Sequence, residues 1–280
     1  MASSVQKLTP LAAVEKLSER IIRILGCNPG LHTLQGTNTY LIGSGKRRIL
    51  VDTGSPGNSE YIKGLQKALT DSSSSIQEIV LTHWHHDHIG GVKQIFSDVL
   101  NDEVDVFQSS RDLSQPDEDI SPVKAIHTPG HTEEHMILYL EEENAVLAGD
   151  TILGESTAVF EDLHSYMQSL QKILDLKPSI LYPGHGIVIK NPLEHVTYYI
   201  NHRNERENQI LDVLQKQAGT NLSTLDIVKV VYKGLNPSLI PSACGNARHH
   251  LKKLVKDDKV EHIVEEDEER WCIVTSKSNI

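Results

Sequence analysis

The chain has 280 residues, enough for one large domain or a main domain with a small appendage, and its 38% hydrophobic share can fill a core, which excludes wholesale disorder. No stretch approaches the ~18 apolar residues of a membrane span, the first twenty residues lack a secretory apolar block, and Cys27, Cys244 and Cys272 are too few and too scattered for a disulfide framework, which favours a reducing compartment. A net charge of −11 argues against nucleic-acid binding through bulk electrostatics. In chain order, TNTYLIG (Thr37–Gly43) and RRILVDTG (Arg47–Gly54) predict two strands joined at Ser44-Gly45. Apolar residues at helical spacing predict a helix over residues 58–70, IQEIVLTH (Ile76–His83) a buried strand, and Gly90-Gly91 the opening of a short helix. Residues 101–121 are polar, with strand character only at Val104–Phe107. Strands are predicted again at Val123–His127, Met136–Leu140, Ala145–Ala148 and Ser179–Tyr182, with a helix over 165–175.

After Pro192 the pattern becomes helical. A long helix is predicted to about Gln217, a second over Thr224–Lys233 and a third over Ala247–Lys256, followed by a hairpin of Val260–Val264 and Trp271–Val274. Three helices and a hairpin suggest a winged-helix-like module, and the boundary is placed near residue 195. The main domain (residues 1–195) holds 15 Lys+Arg against 26 Asp+Glu, a net of −11, and the tail (196–280) holds 12 against 12. Lys7, Lys16 and Arg20 are interleaved with Glu15 and Glu19, which gives little support to a transit peptide.

The chemistry is concentrated in the histidines. Seven of the fifteen (His83, His85, His86, His88, His127, His131 and His135) fall within 53 residues. THWHHDHIGG (Thr82–Gly91) follows a buried strand, and in extended backbone His83 and His85 point the same way and can reach one ion. Asp87 and His88 fall where the chain turns into the next helix and can face a second. His131 in TPGHT, Asp150 in AGDT and His185 in PGHG lie at later strand ends, each beside a glycine. A lone His-x-His pair is most often an ordinary surface or core pair; seven metal-type residues at or just past strand ends make a ligand set, and zinc suits its mixed nitrogen and oxygen donors. His86 and His135 read as solvated or supporting residues, and His127 as either strand packing or an active-site group. Asp52 reads as a carboxylate orienting a ligand imidazole in preference to a turn cap.

VDTG, THWHHDHIGG, TPGHT, GDT and PGHG, in that order over about residues 51–186, resemble the five motifs of the metallo-β-lactamase superfamily. With GCNPG…TLQGTNTYL (Gly26–Leu41), HRNERENQIL (His202–Leu211) and the winged-helix-like tail, the whole chain resembles the beta-lactamase-like protein 2 family. The resemblance implies an α/β fold, the αβ/βα sandwich, carrying two zinc ions per chain. It also implies endoribonuclease activity on single-stranded RNA in the mitochondrial matrix. Carried over by motif, His83, His85 and His131 hold one zinc, Asp87, His88 and His185 the other, and Asp150 bridges both, with Asp87 and Asp150 as catalytic residues. A bridging hydroxide would attack phosphorus in line, and the leaving oxygen would be protonated by a metal-bound water or by His127. The chain departs from its relatives by a shorter segment before TPGHT, where they carry a further strand, so one sheet is expected to lose an element. A glyoxalase-II-like thioester hydrolase and a zinc-bound, catalytically weak binding protein are the alternatives. Arg248, His249, Lys252, Lys253 and Lys256 give the third tail helix a basic face that could meet phosphates, with the acidic Glu265–Glu269 turn nearby. No membrane partner is implied, and the sequence does not set an oligomeric state.

Overall fold

Short strands whose side chains alternate between two buried faces make two sheets that pack against one another. The computed structural model describes residues 8–100, 104–107, 123–265 and 267–274. The first sheet is built from β1 (Val14–Lys16), β2 (Ile21–Leu25), β3 (Asn38–Ile42), β4 (Arg47–Val51), β5 (Ser75–Val80) and β6 (Asp105–Phe107), in that spatial order. It is antiparallel as far as β4 and parallel from β4 to β6, and α1 (Ser59–Asp71) makes the crossover from β4 to β5. The single turn α2 (His86–Ile89) and α3 (Val92–Asp98) follow β5. The second sheet contains β7 (Val123–His127), β8 (Met136–Leu140), β9 (Ala145–Gly149) and β10 (Ile180–Pro183), in the order β10-β9-β8-β7. The helices α4 (Leu163–Leu176) and α5 (Pro192–Lys216) cover it.

Alternation within each strand sets the layers. Tyr40 and Ile42 of β3 face Leu138, Leu147 and Tyr182 of the second sheet in a core between the sheets. Leu41, on the opposite face of β3, packs with Leu50, Ile79, Tyr61 and Leu65 under α1. On the far side Ile137, Val146 and Leu181 meet Tyr166, Leu170, Val196 and Tyr199 of α4 and α5. Helix, sheet, sheet, helix is the resulting order, the αβ/βα sandwich of an α/β fold.

The tail adds β11 (Leu222–Ser223), α6 (Thr224–Val231), α7 (Ile240–Lys256), β12 (Val260–Glu265) and β13 (Glu268–Ile273), with the strands in the order β11-β13-β12. A capping box between Ser223 and Asp226 starts α6, an arrangement worth about 1 kcal/mol. Ile210 and Leu214 of α5 share a core with Ile227, Leu251, Leu254 and Trp271, so α5 contributes to two cores along its length. Three helices with a small wing make this a winged-helix domain.

Several elements differ from their predicted form. β1 and β2 carry no predicted strand, because Arg23 interrupts the apolar run; its guanidinium is buried against Glu15 of β1. α7 begins at Ile240, ahead of the predicted Ala247, because Pro241 sits in its first turn, where a missing amide costs nothing. β5 ends at Val80, and His83 lies in the loop beyond it. Of the polar stretch 101–121, only residues 104–107 lie within the described residues, mostly as β6, so the expected loss of a sheet element falls outside them; among the described residues β7 is the edge of the second sheet.

His250 of α7 is buried, and neither ring nitrogen has a hydrogen-bond partner among the described residues. Burial first, then Arg203, Arg206 and Lys253, push its pKa down to about 3. The unfolded chain therefore takes up a proton near pH ~6.5 that the folded chain refuses. Stability from this site is present above that pH and lost as pH falls toward the folded value. The difference in thermal midpoint between wild type and His250→Leu is expected to move against the wild type as pH falls from about 7 to about 4. A constant difference would show that His250 does not couple folding to pH.

Candidate metal centre

The centre is built where β4 and β5 end side by side. Asp52 leaves β4 with a left-handed φ of 59°, a conformation that Asp tolerates better than most residues. Its carboxylate accepts hydrogen bonds from the Thr82 amide (2.8 Å) and hydroxyl (2.9 Å) and lies 2.8 Å from His88 Nδ1. By taking the Thr82 amide, Asp52 ends the β5 ladder and releases the next residues into a loop. His83 and His85 thus converge from a loop and not from a strand, with ring centroids 4.6 Å apart. The turn of α2 then places Asp87 and His88 on the other side.

All seven sequence-predicted ligands come together. Ligand atoms of His83, His85, His131 and Asp150 lie within 4.8 Å of one another, as do those of Asp87, His88 and His185. Asp150 stands between the groups, with one oxygen 3.7 Å from His131 Nε2 and 3.3 Å from His185 Nε2, and the other 3.5 Å from His88 Nε2. These residues fit a metal pair on two further observations. His83 Nε2, His85 Nδ1 and His131 Nε2 face one another at 2.9 to 3.3 Å with too few protons to satisfy all three. Asp150 Oδ1 is buried and accepts no hydrogen bond among the described residues, which a cation would correct.

Four of the five ligand rings are anchored on the side away from the centre, His88 by Asp52. His83 Nδ1 meets Thr82 Oγ1 at 3.0 Å, His131 Nδ1 meets the Val159 carbonyl at 2.8 Å, and His185 Nδ1 meets the Gly36 carbonyl at 3.2 Å. Thr37 Oγ1 donates to Asp87 Oδ2 at 3.0 Å. Sequence reasoning reached Asp52 among these supports but missed Thr82, Thr37, Gly36 and Val159. The last two act through backbone carbonyls, which leave no mark on residue identity. His135 is buried at the centre's back: its Nε2 accepts the Asp150 amide at 3.1 Å, while Nδ1 meets Thr128 and Thr151. His127 is exposed and bonded through Nε2 to the Glu133 carbonyl, outside the lining of the cleft, so the option of a proton donor there is not supported.

Charge and burial oppose one another at these groups. Burial works against protonation of His185, yet Asp150 and Asp87 raise its pKa to about 9. Burial likewise opposes ionisation of Asp87, but hydrogen bonds from His185 and His88 hold it far below the carboxylate range. Burial and the neighbouring His88 instead keep His83 neutral, ready to donate a lone pair.

The centre opens into a cleft of about 520 Å³ lined by His85, Asp87, His131, Asp150 and His185 and by residues 31–34 and 153–159 in part. Three large apolar side chains stand exposed at or beside its rim: Leu31 (89% exposed), Val159 (62%) and Trp84 (50%), whose ring packs edge-on against His85. The basic face of α7 lies behind the 157–162 wall, but most of it is engaged. Arg248 pairs with Glu269, Lys253 with Glu207 and Asp257, Lys256 with Asp162, and His249 packs on Phe160. Lys253 is therefore an internal anchor and not a phosphate contact; Lys252 alone of this face is left exposed without an ion pair among the described residues.

Gly184 closes the floor. A Cβ there would lie 2.3 Å from Asp150 Oδ1 and 3.0 Å from both His88 Cε1 and the Gly149 backbone. Gly184→Ala is expected to displace the Asp150 carboxylate and weaken divalent-metal binding by about tenfold or more, read by competition with a chelator. Unchanged affinity would place the ions elsewhere.

Comparison with known proteins agrees with this architecture. Residues 32–98 and 109–185 match the metallo-beta-lactamase superfamily model, and residues 223–271 match the beta-lactamase associated winged helix domain. The chain is 47% identical over 281 residues to a beta-lactamase-like protein 2 homolog of Drosophila melanogaster, covering 92% of this chain and 96% of the relative. It is 37% identical over 290 residues to an atrochrysone carboxyl ACP thioesterase of Passalora fulva, covering 98% and 87%. A beta-lactamase domain protein from Burkholderia ambifaria superposes with a TM-score of 0.75 over 95% of each chain at 15% identity, a likeness of fold. The chain therefore belongs to the metallo-beta-lactamase superfamily, with a beta-lactamase-associated winged-helix domain following the sandwich.

Proposed function

We propose that the protein is a zinc-dependent endoribonuclease that hydrolyses phosphodiester bonds of single-stranded RNA. His83, His85 and His131 would hold one ion, Asp87, His88 and His185 the other, with Asp150 shared between them. When bound, two such ions would supply Lewis acidity toward the phosphate oxygens and make water a competent nucleophile near neutral pH. The chain's own residues set the stage for that chemistry. Asp52, Thr82, Val159 and Gly36 hold four of the ligand rings in one orientation, and Asp150 would supply negative charge to both ions.

One observation carries the reading: two adjacent ligand groups open beside an exposed indole. Paired cations match an anionic phosphodiester, and a half-exposed Trp84 matches the face of an unpaired base. Attraction is local, since the sandwich is acidic and most of the tail's basic face is internally paired. A second reading, thioester hydrolysis, is favoured by the apolar lining of Leu31, Leu34, Leu153 and Val159 and by the relatives that are named thioesterases.

Purified protein of measured metal content, incubated in parallel with labelled single-stranded RNA and with an acyl thioester, decides between them. The expected result is cleavage of RNA with about two zinc equivalents per chain; hydrolysis of the thioester alone would overturn the nuclease reading. Asp150→Asn is expected to lose turnover by about a hundredfold or more while remaining folded. Trp84→Ala should raise KM for RNA by about tenfold with kcat little changed. Because Trp271 is buried, fluorescence of Trp84 reports RNA binding directly, and an unquenched signal at saturating RNA would remove the indole from the substrate path.

A further inference from the structure

The segment between β9 and α4 forms one wall of the cleft, and residues 153–160 have no strand or helix to satisfy their backbone. Their carbonyls are met from outside by three residues of α5, His195, Tyr199 and Arg203. Spaced i, i+4 and i+8, these lie on one face of that helix. His195 Nε2 donates to the Leu153 carbonyl at 3.0 Å. Tyr199 Oη accepts the Leu153 amide at 3.2 Å and donates to the Ser156 carbonyl at 3.0 Å, holding Ser156 in a left-handed φ of 69°. Arg203 Nη2 donates to the Ala158 carbonyl at 3.0 Å, and its guanidinium lies 4.9 Å from the centre of the Phe160 ring. The segment in turn touches both ligand groups. The Val159 carbonyl meets His131 Nδ1 at 2.8 Å, and the Gly154 amide donates to the His185 carbonyl at 2.9 Å.

We infer that His195, Tyr199 and Arg203 form a polar ladder that sets the position of residues 153–159 and, through the Val159 carbonyl, the tautomer and aim of His131. Arg203 and Tyr199 are thus positioning residues for the metal centre, although neither contacts a ligand atom. Arg203 is buried, with its Cζ over the Phe160 ring at the end of the wall. The ladder gives a role to the first arginine of the HRNERENQIL segment. Its Glu207 serves a different purpose, pairing with Lys253 of α7 to join the tail. The inference depends on the ions proposed above but not on the identity of the substrate.

Two measurements on the full-length chain test it. The first is hydrogen exchange of the 153–159 amides in metal-free protein. The second is zinc affinity, by competition with a chromogenic chelator. Tyr199→Phe, which keeps the packing, and Arg203→Met are each expected to speed exchange in this segment and to weaken zinc binding by about tenfold to a hundredfold. Arg203→Lys, which retains a donor and the charge, should recover most of that loss. Glu207→Gln is the control: it should lower the thermal midpoint and leave zinc affinity and segment exchange at wild-type values. Should Tyr199→Phe and Arg203→Met lower the midpoint while zinc affinity stays within about twofold, or should Glu207→Gln weaken zinc equally, the ladder is a structural staple and the inference is wrong. Absence of zinc from the wild type would fail the metal proposal itself, and the exchange measurement would still report on the ladder.

Discussion

A carboxylate oxygen buried without a hydrogen bond is among the most costly groups a protein interior can hold, and Asp150 Oδ1 is such an atom. Around it stand imidazoles whose nitrogens face inward and a second carboxylate, Asp87. Burial opposes protonation of His88 and His185, yet Asp150 raises the pKa of both, and the same carboxylate would attract metal ions. Much of the local architecture converges on this carboxylate. Both sheets end their strands here, glycine at 184 gives the carboxylate its space, and Asp52 gives up regular backbone geometry to hold Thr82 and His88. The two-sheet sandwich is the frame that brings five separate chain segments to this one location.

Much of that frame was legible in the sequence, because each segment ends in a side chain whose chemistry is unusual for a turn. His83, His85, Asp87 and His88 announce themselves by density, and His131, Asp150 and His185 by falling beside glycines at strand ends. Asp52 was legible as an orienting group because it ends an unbroken apolar run. The anchors made by Val159 and Gly36 were not, since a carbonyl belongs to every residue. Nor was β2, whose buried Arg23 looks like a surface residue until Glu15 is seen beside it. The early start of α7 escaped the pattern because its apolar stripe begins only at Ala247, while Pro241 is tolerated in the opening turn.

The tail shows how a charged face can mislead. Five basic residues between positions 248 and 256 suggest a surface for phosphates, yet three of them, Arg248, Lys253 and Lys256, are paired with carboxylates distant in sequence. Asp162 lies in the sandwich, Glu207 on the connecting helix and Glu269 on the wing. The cations are therefore engaged in seating α7 against the sandwich and the wing. What remains of this face for a polyanion is Lys252, on a chain whose net charge is −11.

The placement of α5 has a consequence for how the molecule can come apart. Its first half is packed into the core beneath the second sheet and its second half into the core of the winged helix, without an intervening linker. A rigid rod common to two cores transmits the loss of one to the other, so the parts are expected to melt as a single cooperative unit. The same geometry constrains evolution. The winged helix cannot be exchanged for another module by recombination at a loop, because the junction is itself a helix packed into the sandwich core. An insertion of one residue in the middle of α5 would rotate everything beyond it by about 100° about the helix axis. The pairing of sandwich and tail is thereby held fixed by helical phase.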